Sequence, residues 1–469
     1  MGDFNYKAMK KTISIIVMAG AMIFLAGAQE IGNEELAQIR ESFPRTQDNI
    51  ARMNAISANY DLKQLAVDRG RQGKTDHFFK YKVKVSGITD QKQSGRCWMF
   101  TSMNVLRPAV MEKFNIKEFD FSHSYCYFWD MFEKSNLFLE NVISTAERDI
   151  ILDRNTAWIF QNPVNDGGVW NSFLNIAEKY GVVPDSVMPE TAHSERTSML
   201  TSILNEYLRK EGYALREMIS EGASEKKTRK YKLHAMEGVY RILALCLGEP
   251  PVEFTWRYET LDGEIKSLTS TPSDFYRSIV PEGYGSEDYI MVMHDPTRPY
   301  YRIYEIANYR NTYEGINWKY LNLPLDEIKG SAIASIKADE ALYASCDISR
   351  YYKNDEGIAD LGIYDFESLM GIDFEIHDKA ARIMTRQSGS AHAMTLIAVD
   401  TDEEGRPVKW QFENSWGPSA GHNGYYTFTD EWFDEYMFRM VIRKDYLSDK
   451  AVEALSGESD MLPAWDYMF

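Results

Sequence analysis

Residues Gln91 to Phe100 read Gln-Lys-Gln-Ser-Gly-Arg-Cys-Trp-Met-Phe, and they commit the backbone to a tight turn running into a helix. The turn falls at Ser94-Gly95, and the helix opens at Cys97 and continues through Trp98, Phe100, Met103, Leu106 and Val110. A thiol at a helix N-terminus lies where the macrodipole and the free backbone N–H groups favour the thiolate. Six residues upstream, Gln91 carries a side-chain amide that can fold back toward the same point. An amide and a backbone N–H together form the donor pair of an oxyanion hole. Cys97 is therefore the expected nucleophile and Gln91 its expected oxyanion donor.

A catalytic thiol needs an imidazole to exchange protons with it, and a third group to orient that ring. The chain holds eight histidines and no His-Glu-x-x-His sequence, so a helical zinc site is not expected and no metal or cofactor is implied. His392 opens the apolar run Ala393–Val399, which reads as a buried strand. A turn at Asp402–Gly405 follows, then a second strand from Val408 to Glu413. A turn centred on residue 403 sets Asn414 directly opposite His392, within cross-strand reach. The Asn414 amide oxygen then accepts from one ring nitrogen and leaves the other for Cys97. Trp416 is placed to shield that bond from water. His422, in a glycine-flanked loop, reads as solvated.

Composition narrows the function classes. The 469 residues are 44% hydrophobic and 13% aromatic, an ordinary globular profile. A net charge of −18 argues against nonspecific nucleic-acid binding, which needs clustered Lys and Arg. The first residues carry Lys7, Lys10 and Lys11, an apolar run Ile13–Leu25, and Ala26-Gly27-Ala28. This is the pattern of a secretory signal cleaved after Ala28, too short for a stable membrane anchor. Export to the periplasm or the extracellular space of a bacterium is the expectation. Loss of residues 1–28, with three lysines against Asp3, takes the net charge to −20. Cys126, Cys246 and Cys346 show no disulfide spacing and read as inert buried thiols.

Texture changes along the chain point to an α+β fold. Residues from about Asn33 to Lys80 are polar and helical, followed by a short strand near Tyr81–Val85. Ser122 is placed to cap an aromatic helix, and another helix starts near Trp170 after Asn165-Asp166-Gly167-Gly168. Residues 194–241 repeat Glu, Lys, Leu and Arg at helical spacing, and strand texture follows Pro250-Pro251. The expected organisation is a signal peptide (1–28), a helical segment with Cys97 (29–193) and a helical and mixed insertion (194–340). A β-rich segment with His392 and Asn414 (341–450) and a C-terminal tail (451–469) complete it.

These motifs resemble the papain superfamily, and within it the bleomycin hydrolase and aminopeptidase C family. The resemblance rests on Gln91 with Ser94-Gly95-Arg96-Cys97-Trp98, His392-Ala393-Met394, and Glu413-Asn414-Ser415-Trp416-Gly417. It extends to Tyr127-Phe128-Trp129-Asp130, Met188-Pro189-Glu190-Thr191 and Asp295-Pro296-Thr297-Arg298-Pro299, and covers the chain from about residue 60 onward. Papain-type enzymes place the histidine about 130–150 residues after the cysteine. Here 295 residues separate the two, and the insertion accounts for the surplus.

The resemblance implies two lobes, one helical and one of antiparallel strands, and a homohexamer whose active sites face an inner chamber. It also implies that Gly167 and Gly168 bind extended peptide substrate through their backbone. In this family the C-terminal tail lies in the cleft and its carboxylate, here that of Phe469, captures the substrate amine, making the enzyme an aminopeptidase. Leu462-Pro463-Ala464-Trp465-Asp466 matches the approach to that tail. Tyr467-Met468-Phe469 departs from the usual Pro-Met-Gly-Ala-Leu, which leaves an endopeptidase or dipeptidyl-type activity open. A catalytically silent peptide-binding protein is the remaining alternative.

Overall fold

The computed structural model describes residues 30–85 and 87–468, in two compact units that divide between Ala66 and Val67. The expected signal peptide, residues 1–28, and the terminal Phe469 lie outside the described residues. In the first unit, helices α1 (Asn33–Glu41) and α2 (Gln47–Ser57) bury none of their side chains. Thr46 caps α2 by accepting the Asn49 N–H at 3.2 Å. Helical structure ends at Ala66, earlier than the composition predicts. Beyond it, Asp68 accepts the Gly70 N–H and Gly73 takes φ +74°, so turn chemistry replaces helix.

The second unit begins its helical part with α3 (Cys97–Phe114), α4 (His123–Ser144), α5 (Arg154–Gln161) and α6 (Trp170–Tyr180). Ser122 caps α4 as expected, accepting the Tyr125 N–H at 3.0 Å. Gly181 ends α6 at φ +77°, where a side chain would collide with the Pro272 carbonyl. Next come the long helices α7 (Ser198–Ser220) and α8 (Glu225–Leu247), which pack on each other and on α4. Their contact follows from sequence spacing. Leu200, Leu204, Leu208 and Leu215 form one fully buried stripe, and Val239, Leu243 and Leu247 form the other. Cys126 and Cys346 are buried as expected, but Cys246 is only half-buried. Burial pushes all three thiols up, consistent with inert groups.

A twelve-stranded mixed sheet forms the second part, and a separate hairpin (Phe254–Glu259 with Ile265–Ser270) stands outside it. Seven of its strands matter below: β1 (Arg302–Ile306), β2 (Leu342–Cys346), β3 (His392–Thr401), β4 (Pro407–Glu413), β5 (Tyr425–Thr429), β6 (Met437–Arg443) and β7 (Ser459–Leu462). The central pairings, β6 to β2 to β3 to β4 to β5, are all antiparallel. Along β3, eight consecutive residues from His392 to Val399 are buried, which explains the unbroken apolar run. Two apolar cores result, one among the helices and one on the sheet, with α3 packed along β3.

Candidate active site

The helix opens at Cys97 because its flanks leave no alternative. Arg96 is fully buried, holds Glu190 through two hydrogen bonds (3.0 and 2.7 Å), and stacks over Phe100 and Tyr127. The Gly95 N–H donates to Asp166 at 2.6 Å, and a Cβ at Gly95 would meet that carboxylate at 2.4 Å. Cys97 itself is partly exposed. Burial pushes its thiol up, while the Ala393 and Trp98 backbone N–H groups and the Arg439 guanidinium pull it down. The helix N-terminus thus acts as expected but does not outweigh desolvation. The Ala393 contact sets the sulfur against the first turn of chain after His392.

His392 is buried and its Nε2 lies 2.8 Å from Asn414 Oδ1. That oxygen also accepts the Ser415 N–H at 2.8 Å, which fixes the amide orientation. The Ser415 N–H marks this atom as the amide oxygen, which has no proton to give, so Nε2 carries the proton and Nδ1 keeps its lone pair. Burial lowers the imidazole to about 4, opposed by the Asn414 bond. The ring is therefore neutral at ordinary pH. Trp416 lies over it, ring centroids 4.8 Å apart, while Asn414 is completely buried.

The pairing register differs from the expected one. Thr395 faces Glu413 and Thr401 faces Pro407, so the turn centres on Glu404 rather than residue 403. Asp402 causes the offset: its side chain accepts the Arg406 N–H at 2.8 Å, and Gly405 turns back at φ +83°. Asn414 consequently reaches His392 diagonally from just past the end of β4, and Trp416 takes the place opposite the ring.

Gln91 is locked to the same loop. Its N–H donates to the Ser415 carbonyl at 2.8 Å, and its Oε1 accepts from Ser415 Oγ at 2.7 Å. Its Nε2 donates one proton to the Ser94 carbonyl at 2.6 Å, leaving a second amide proton. Below this lies a buried pair that sequence reasoning missed. Arg107 of α3 donates to Glu413 at 2.5 Å and to Asn104, and Asn104 bonds Thr89 beside the Gln91 turn. The pair joins the helix of Cys97 to the strand end of Asn414. Glu413→Ala deprives Arg107 of its buried carboxylate and is expected to destabilise the fold by about 3 kcal/mol. An unchanged denaturant midpoint would contradict that.

Gly168 packs against Trp98, the residue that follows Cys97. The Trp98 indole N–H donates to the Asp166 carbonyl at 2.9 Å, and a Cβ on Gly168 would enter that indole at 2.6 Å. Lys134 Nζ donates to the Gly167 carbonyl at 2.6 Å. The C-terminal tail is clasped by the Asp295–Pro299 motif. Arg298 bridges Asp295 and Asp466, both at 2.6 Å, and Thr297 hydrogen-bonds the Tyr467 hydroxyl. Arg439 donates to the Met468 carbonyl at 3.3 Å, so one guanidinium bears on both the tail and the Cys97 thiol. His422 is exposed, as expected, and stacks on His77 at 3.9 Å.

Residues 30–469 match the model of the Peptidase C1-like family. The chain belongs to that family. Human bleomycin hydrolase is 37% identical to the peptidase over 422 residues, covering 88% of this chain and 92% of that protein. Aminopeptidase C of Lactococcus lactis subsp. lactis is 36% identical, covering 92% and 97%. The crystal structure of PepW from Lactobacillus rhamnosis superposes on the peptidase with a TM-score of 0.89 at 34% identity, covering 94% and 98%. The fold is thus that of a papain-like enzyme, and the peptidase is of the cysteine type.

Proposed function

We propose that the protein is an exported aminopeptidase that removes N-terminal residues from short peptides through Cys97, His392 and Asn414. The observation that carries this reading is the Asn414 amide, oriented by Ser415, which holds His392 in the Nε2–H tautomer. His392 Nδ1 takes the Cys97 proton as sulfur attacks the peptide carbonyl, then returns it to the departing amine. The second Gln91 amide proton and the Cys97 N–H receive the oxyanion. Water releases the acyl group by the same proton route.

The tail supports removal of residues from the amino end. Despite the altered Tyr467-Met468 sequence, it is anchored through Asp466, Tyr467 and the Met468 carbonyl, which supports the family's capture of the substrate amine by a tail carboxylate. Free-amine fluorogenic peptides are expected to be hydrolysed at least tenfold faster than their N-acetylated forms, the loss of one charge-assisted contact. Equal rates would refute carboxylate capture and favour an endopeptidase. The leader and the family resemblance support export and a homohexamer. Gln29 at the start of secreted protein and a hexameric mass in solution are the corresponding expected results.

A further inference from the structure

A cavity of about 390 Å³ adjoins the cleft and is lined by Gly168, by Trp465 of the tail and by cations from four separate segments. These are Lys134 of α4, Arg154 of α5, Arg310 and Arg386, and no Asp or Glu among the described residues lines the cavity. That composition is unusual in a chain with 70 acidic against 52 basic residues. Lys134 is neutralised by Asp130 at 2.7 Å. The three arginines have no ion-pair partner among the described residues. Arg154 lies over the Trp465 ring at 4.4 Å, and Arg310 spends one donor on Asn317 at 2.9 Å while its buried Nε makes no hydrogen bond. Converging unpaired guanidinium groups repel one another, and their planar donor forks match a carboxylate.

The cavity wall meets the helix of the thiol. Gly168 lines the cavity and packs on the Trp98 indole, and Trp98 follows Cys97 in α3. We propose that this cavity is a subsite for a carboxylate carried by the peptide substrate. The proposal rests on the peptidase reading above and adds a substrate class to it.

The test uses two sets of peptides: one with Glu or Gln scanned through successive positions, one with a C-terminal acid or amide. At one position or at the C-terminus, the acidic member is expected to have about tenfold higher kcat/KM, the ratio falling as salt rises. In the double variant Arg154→Gln/Arg386→Gln, both at exposed positions, the ratio should approach one. Binding of the same peptides to Cys97→Ala protein, followed by fluorescence anisotropy, should show the same preference without turnover. A Glu preference identifies a side-chain subsite, and an acid-over-amide preference identifies capture of the C-terminal carboxylate. Ratios near one throughout, or a preference that survives the double variant, would overturn the proposal. Wild-type protein that neither cleaves nor binds any of the peptides would overturn the peptidase reading with it.

Discussion

Cys97→Ala protein is expected to fold normally and to show no measurable turnover, a fall in kcat on the order of 10⁶. The side chain is small and partly exposed, so its loss removes little packing. The surrounding scaffold, Arg96 with Glu190 and Gly95 with Asp166, does not involve the sulfur. His392→Ala is expected to fall as far, and the double variant no further, because in the proposed mechanism the two groups act as one proton-transfer unit. The pH profile carries a second signature. His392 must be neutral to accept the thiol proton, and burial keeps it neutral down to about 4. The acid limb of kcat/KM should therefore lie near pH 4 and not near the ordinary imidazole value of about 6.5. Residual hydrolysis by Cys97→Ala above one part in 10³, or an acid limb at the ordinary value, would sink the mechanism.

Gln91→Ala is expected to lower kcat by 10²–10³, the range for loss of one oxyanion donor. Its side chain has a second duty, accepting from Ser415 Oγ, so a fall in rate alone does not separate chemistry from scaffolding. Ser415→Ala separates them. That change releases the Gln91 oxygen but leaves its amide donor bonded to the Ser94 carbonyl. A loss of about tenfold or less is expected, from slackened positioning of one side chain. Should Ser415→Ala match Gln91→Ala in kcat, Gln91 is a structural strut and the oxyanion is held elsewhere.

The elements near the thiol were legible because their signals are local. Ser94-Gly95 before an apolar periodic run announces a turn and a helix, and that helix begins at Cys97. Ser122 as a cap and the buried β3 run follow from rules spanning a few residues. The β3–β4 register escaped by two residues in pairing because an Asp402 side-chain bond shifted the turn, a choice among near-equal turn types. The Arg107–Glu413 pair joins residues 306 apart in sequence, and no periodicity marks such a contact. The Asp295–Pro299 motif was visible, but its duty as a clasp for the tail appears only once Arg298 meets Asp466.

By itself the sequence determined which groups are proposed to carry the chemistry: a thiol at a helix start, a histidine opening a buried strand, an asparagine at the end of the next, and a glutamine before the turn. Those depend on residue type and short-range geometry. Only the tertiary structure decided the tautomer of His392, through Ser415 and Asn414, and the balance at Cys97, where desolvation outweighs the helix end. It also decided that the altered tail stays anchored beside three arginines that have no ion-pair partner among the described residues. Burial and long-range charge are properties of the packed chain, summed over residues far apart in sequence, and exist only after the lobes have closed on one another.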